Sequence, residues 1–103
     1  MNPGMNPALT PAPAAASVVG IAGELTICRA AELKPVLLPG GSGPVEIDLA
    51  EVTEIDTAGV QLLLLARREA LATSRPWRLR AASPPVREAL ALLNLGDRLA
   101  VAD

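Results

Sequence analysis

The sequence contains no histidine, phenylalanine or tyrosine, and it has a single cysteine and a single tryptophan among its 103 residues. Without histidine, neither His-based acid–base catalysis nor a zinc site of the Cys/His kind is available. The lone Cys28 excludes an internal disulfide and favours a reducing compartment. We therefore expect a cytoplasmic protein that is not an enzyme, needs no metal or cofactor, and builds its core from Leu, Val, Ile and Ala.

Long apolar runs are also missing. The densest one, Val60–Ala66, is interrupted by Gln61 and is far too short to span a bilayer. No Lys or Arg precedes Arg29, and no leucine-rich segment lies near the start, so we expect neither a secretory signal nor membrane insertion. With 50% hydrophobic residues and a net charge of -2, the composition is that of one folded domain.

The first 17 residues differ in composition from the rest, because they are mostly Pro, Ala, Asn and Gly. Proline lacks a backbone donor and fixes φ, which keeps this stretch out of helices and central strands. The composition predicts a flexible arm over residues 1–17, with partner binding by the arm as an alternative, and a folded domain over residues 18–103.

The apolar patterning of that domain alternates between strand and helix periods. Strands are predicted at 18–21, 25–28, 45–49 and 77–81, and helices at 30–38 (kinked or shortened by Pro35), at 57–72 and from the cap Ser83 onward. The first two strands are separated by Ala22-Gly23 and are expected to form either a hairpin there or paired strands. The sequence therefore predicts a single small α/β domain, with helices packed on a mixed sheet of four to five strands.

The buried faces of the later helices follow from the same spacing. We expect Val60, Leu63, Leu64 and Leu71 on the core side of the 57–72 helix, and Val86, Leu90 and Leu93 on that of the last helix. Val52 and Ile55 are expected in a short loop.

Two groups of residues have plain interpretations. The glycines at 40, 41 and 43 follow a helix and lead into a strand without a nearby lysine, so they are a connector rather than a phosphate cradle. The carboxylates at 48, 51, 54 and 56 lack a neighbouring base or a recognisable metal spacing, and they are interpreted as a solvated acidic rim.

Charge is divided unevenly along the chain. Residues 46–56 hold five acidic residues and no basic one, whereas residues 67–87 hold six arginines against Glu69 alone. This division either steers a partner protein or reflects the solvation of two polar faces. The negative net charge and the lack of aromatic side chains for base stacking argue against nucleic acid.

The most informative segment is 52–63, where a strand region turns into a helix. Asp56 is a plausible N-cap for that helix. Helix starts also present free N–H donors that suit an anion, and Ala58 and Gly59 are expected to leave the backbone open to close approach. An anion-binding start and a simple Asp/Thr cap both remain open on these grounds.

The segment Asp56-Thr57-Ala58-Gly59-Val60 resembles the central motif of the STAS family, the bacterial anti-sigma-factor antagonists and their relatives. In that family a strand ending in apolar-x-Asp leads into Asp-Ser/Thr-Ser/Ala/Gly-Gly-Leu/Val at a helix start. The surrounding order is similar too, with Gly23–Thr26 early, Glu46–Leu49 as the central strand, and then Trp77–Leu79 and Val86–Leu90. The resemblance covers about residues 18–100 and implies a STAS-like fold.

The resemblance implies a regulatory domain that acts by binding protein. Antagonist-type members bind an anti-sigma-factor kinase through this helix start, and phosphorylation of the serine before the glycine releases the partner. That position is Ala58 here, so Thr57 is the expected phospho-acceptor and switch. The expected partner contact comprises Asp56, Thr57, Ala58, Gly59 and Gln61, and a phosphate on Thr57 would disfavour an acidic partner surface.

The Asp-Thr-Ala-Gly form is also similar to STAS subunits that dock, through the threonine, on the cytoplasmic ATPase of phospholipid-trafficking ABC transporters. It resembles STAS proteins of chemotaxis-type signalling systems as well. The motif does not separate these alternatives, and it leaves the partner and the oligomeric state open.

Overall fold

A computed structural model of the protein describes residues 15–99. In chain order the elements are β1 (Ser17–Leu25), a 3-10 turn (Ile27–Arg29), α1 (Ala30–Leu37), β2 (Val45–Ile55), α2 (Thr57–Ala72), β3 (Trp77–Arg80), α3 (Pro84–Leu92) and the short α4 (Gly96–Leu99). Residues 1–14 of the predicted arm lie outside the part of the chain that the structure describes. Strand β1 begins at Ser17.

The strands of residues 15–99 form one sheet in the order β1-β2-β3, with both pairings parallel. The predicted mixed sheet of four to five strands is therefore wrong for this part of the chain, and the hairpin at Ala22-Gly23 does not form. Instead Ala22 pairs with Glu51 and Gly23 with Val52 beside breaks in register, and Gly23 takes a φ of 80°. A bulge with a glycine in the left-handed region bends the strand without reversing it.

The bulge also explains why β2 is longer than predicted. Residues 51–55 pair with the second half of β1, so Val52 and Ile55 belong to the strand rather than to a loop. The guanidinium of Arg29 covers the bulged part of β1, donating to the carbonyl oxygens of Ala22 at 2.6 Å and Glu24 at 2.8 Å. Beyond Leu25 the chain leaves the sheet, and Ile27 and Cys28 form the 3-10 turn.

Alternating side chains of the strands point into one apolar core. The buried strand residues are Ile21, Leu25, Val45, Ile47, Leu49, Val52 and Leu79. On β2 and β3 the alternate positions carry charge, and Arg78 and Arg80 contact Glu46 at 3.1 and 3.2 Å. Arg78 and Arg80 share an exposed face of the sheet, and the acidic and basic segments of the sequence partly neutralise each other there.

The helices agree with their predicted positions, with three local differences. α1 continues through Pro35, and its stripe Leu33 and Leu37 is buried. Leu71 is exposed, because Ala66 and Ala70 continue the buried stripe of α2 one residue earlier. Leu93 is 47% exposed, because α3 ends at Leu92 and the chain turns away through Asn94 at a φ of 58°.

Arg75 stabilises the end of the sheet that lies opposite the start of α2. It is 5% exposed and donates from Nε to Gly43 O, from Nη1 to Pro39 O and from Nη2 to Ser17 Oγ. Arg75, the residue before Pro76, thereby links the glycine connector to the first strand. Among residues 15–99, no helix combines the length and the apolar character that a membrane span requires.

Candidate functional site

Asp56 lies between the end of β2 and the first turn of α2. Its backbone is extended, and its Oδ1 accepts a hydrogen bond from the Gly59 N–H at 2.9 Å. Its Oδ2 accepts another from the Ile27 N–H at 3.0 Å. These bonds, first that from Ile27 and then that from Gly59, lower the pKa of Asp56, because both stabilise the charged form. The predicted N-cap is confirmed, and the chain's own carboxylate takes the place of an external anion.

Gly59 is buried where α2 begins against β1. A Cβ at this position would overlap the carbonyl oxygen of Leu25 and lie 2.9 Å from its carbonyl carbon. The expectation that the Gly59 backbone is open to a partner is therefore wrong. Its physical role is to let the first turn of α2 approach the end of β1, which fixes where the neighbouring side chains emerge.

Thr57 and Gln61 emerge from this start on one exposed strip of α2. They are four residues apart, which places them one above the other on the same face, and both are exposed. The Thr57 hydroxyl makes no hydrogen bond to any other residue of the described part. Ala58 is half-buried beside it. The start of α2 therefore presents one unpaired hydroxyl and one amide to solvent.

Apolar side chains that the motif did not reveal flank this strip. Leu92, which is 79% exposed, lines a concavity together with Thr57, and Ile27, which is 66% exposed, is joined to the start of α2 through the bond from its N–H to Asp56. A concavity of about 220 Å³ separates the start of α2 from the end of α3 and is lined by Thr57, Val60 and Leu93 among others. The sequence did carry a signal for this feature, because Leu92 follows Leu90 of the expected core stripe by two residues, which places the two side chains on nearly opposite faces of a helix.

The carboxylates predicted as an acidic rim separate into two groups. Asp48 lies on the open sheet face and contacts Arg80 at 3.8 Å. Glu54 instead lines a second concavity of about 280 Å³ next to the first, together with Glu88, a residue outside the predicted rim. No group of three or more carboxylates or thiols within residues 15–99 is arranged to hold a metal ion.

Comparison with known proteins identifies the family. The family model described as "Mlab, STAS domain" matches residues 9–101. Because this match covers most of the chain, the chain belongs to the STAS domain family. A search of curated proteins finds no match.

Two solved structures share the fold. A sulfate transporter family protein from Wolinella succinogenes superposes with a TM-score of 0.70 at 20% identity, over 85% of this chain and 76% of that one. A Thermotoga maritima protein described as an anti-sigma factor antagonist superposes with a TM-score of 0.71 at 22% identity, over 84% of this chain and 79% of that one.

Proposed function

We propose that this STAS domain is a non-enzymatic regulatory protein of the cytoplasm that binds a protein partner through the start of α2. The proposed contact centres on Thr57, with Gln61 and the capping residue Asp56 beside it. The observation that carries the proposal is the exposed Thr57 hydroxyl, which has no hydrogen-bond partner within residues 15–99 and shares a concavity with the exposed side chain of Leu92. Exposed apolar side chains around a polar group are typical of protein contacts.

The partner we propose first is an anti-sigma-factor kinase, as the resemblance to antagonists implies. In this proposal Thr57 is the phosphorylated switch, because Ala58 has no hydroxyl. A phosphate adds about -1.5 to -2 charges at neutral pH. It would stand beside the ionised Asp56 carboxylate and next to apolar side chains that the partner covers. The cost of desolvating the phosphate under those apolar side chains would weaken the complex.

The second candidate is docking on the ATPase of an ABC transporter. It is favoured by Thr57 itself, whose exposed hydroxyl is suited to a direct hydrogen bond with a partner that never modifies it. The two candidates differ in phosphorylation. Mapping phosphopeptides of the chain isolated from cells gives modified Thr57 for the switch and unmodified Thr57 for the transporter subunit.

Both candidates are tested by capture with a tagged chain in its own cells, followed by mass spectrometry. We expect the wild type to retain a kinase or a transporter ATPase and the Thr57→Glu variant to lose it. Thr73→Glu is the control, because Thr73 is also exposed but lies at the other end of α2. Recovery of the same proteins with all three chains would overturn the proposal.

A further inference from the structure

The surface beside Thr57 continues along α3 as two adjacent concavities, the first between the start of α2 and α3 and the second between the end of β2 and α3. The concavity of about 220 Å³ at the start of α2 and its neighbour of about 280 Å³ share Ile55, Ala89 and Leu92 in their walls. Since they share these walls, the two concavities adjoin each other, and together they are here called the α2–α3 groove. It runs from Thr57 at one end to Glu88 at the other.

The two ends of the α2–α3 groove differ chemically. The end near Thr57 is bordered by Leu92 and Leu93, which are 79% and 47% exposed, and by Asp56, whose two carboxylate oxygens already accept the N–H groups of Ile27 and Gly59. The other end carries the exposed carboxylates of Glu54 and Glu88. None of the described residues that line the groove is basic. The groove thus has exposed leucines at one end and two carboxylates at the other, with no basic residue among the described lining residues to compensate their charge.

We propose that the α2–α3 groove receives a segment of the partner protein that inserts an apolar side chain beside Leu92 and Leu93 and sets Lys or Arg against Glu54 and Glu88. This inference rests on the proposed function and specifies the partner's chemistry. Charge complementarity selects the occupant, because acidic walls attract a basic segment and repel an acidic one. It also argues against a second copy of this chain, since two such grooves face to face would bring carboxylates together.

The same arrangement explains how one charge at Thr57 acts on a basic partner. Thr57 lies at the apolar end, away from Glu54 and Glu88. A negative group introduced there would be desolvated by the partner's apolar anchor rather than paired with its cations. Because both oxygens of Asp56 are occupied by backbone hydrogen bonds, the salt dependence of binding is expected to come mainly from Glu54 and Glu88, and the switch acts at the other end.

The probes for this proposal are three synthetic amphipathic peptides of equal length. The first carries leucines on one helical face flanked by arginines, the second has glutamate in place of every arginine, and the third has serine in place of every leucine. Binding is followed by amide chemical shifts of the isotope-labelled chain. We expect saturable shifts around Ile55, Ala89 and Leu92 with the first peptide, and at least about tenfold weaker binding of the other two.

Matched variants of the chain locate the site. Leu93→Ser is expected to weaken the first peptide, whereas Leu71→Ser is not, although both leucines are 47% exposed. Glu88→Lys is expected to reverse the preference between the arginine and glutamate peptides. Equal binding of these two peptides to the wild type, shifts confined to another face, or equal effects of the two leucine variants would overturn the groove proposal.

Two further outcomes separate this inference from the proposed function. If Thr57→Glu releases the captured partner while Leu92→Ser and Leu93→Ser do not, the groove proposal fails and the proposed function stands. If none of the three variants releases it, both fail. Sedimentation of the wild type as a dimer that Leu93→Ser converts to a monomer would show a second copy in the groove and overturn the proposed occupant.

Discussion

The carboxylate of Asp56 accepts a hydrogen bond from the backbone N–H of Ile27 at 3.0 Å, although 29 positions separate the two residues. Its other oxygen caps α2 through the N–H of Gly59 at 2.9 Å. One side chain therefore joins the turn after β1 to the helix start that presents Thr57. The position of the proposed contact depends on this carboxylate being ionised.

Stability is expected to depend on pH through Asp56. Its pKa in the folded chain lies below the ordinary value of 3.8, so its contribution is complete well above that value and is lost as the pH falls through the lower folded pKa. Denaturant unfolding from about pH 6 to about pH 2 measures this loss.

The comparison variant for this prediction is Asp56→Asn. An amide has one acceptor oxygen, so it cannot serve both N–H groups, and the variant should be less stable at neutral pH. Its stability should also fall less steeply on acidification, because the other carboxylates titrate equally in both proteins. Parallel curves for the two proteins would contradict the role given to Asp56.

Gly59→Ala is expected to destabilise the fold by about 3 kcal/mol, because the added methyl group overlaps the backbone of Leu25. Gly20→Ala is the matched control, since a Cβ at that strand position meets nothing within 4 Å. The control should be neutral or more stable by about 0.5–1 kcal/mol. Thermal or denaturant unfolding measures the stabilities of the two variants. Equal stabilities would contradict the role given to Gly59 in packing α2 against β1.

Arg75→Met is expected to destabilise the fold by about 2–3 kcal/mol. The substitution leaves the carbonyl oxygens of Pro39 and Gly43 without their donor, and buried acceptors without donors are costly. Arg68→Met, at an exposed position of α2, should change stability by less than about 0.5 kcal/mol. If the two variants unfold at the same denaturant concentration, Arg75 does not stabilise the fold through the glycine connector.

Ser83→Ala tests a cap that the sequence suggests and the structure lacks. Ser83 stands at the N-cap of α3, but its Oγ is buried and has no hydrogen-bond partner among the described residues. The prediction that this hydroxyl caps α3 is wrong, because Pro85 removes the N2 donor and the remaining N3 donor, the Val86 N–H, makes no hydrogen bond to it. The variant should match or exceed wild-type stability, and a loss of about 1 kcal/mol in denaturant unfolding would restore the cap.

Local signals in the sequence predicted α2 well. Its bounds, its Asp56 cap and the exposure of Thr57 and Gln61 all follow from residues close together in the chain. The family motif lies in the same segment, so the family was predictable from it too.

Long-range pairing was less predictable. Ala22-Gly23 has the composition of a turn, and only its pairing with residues 51–52 shows that it is a bulge within β1. The same pairing converts residues 50–55 from a predicted loop into strand. Gly59 was expected to be open, and its contact with Leu25 depends on how the helix meets the sheet.

The central claim is that the start of α2 is where the partner binds. Calorimetric titration of the captured partner with purified wild-type, Thr57→Glu and Thr73→Glu chains tests it most directly. The account predicts that Thr57→Glu raises Kd by at least about tenfold, equivalent to about 1.4 kcal/mol, while Thr73→Glu leaves it unchanged. Equal Kd values for all three folded chains would contradict it.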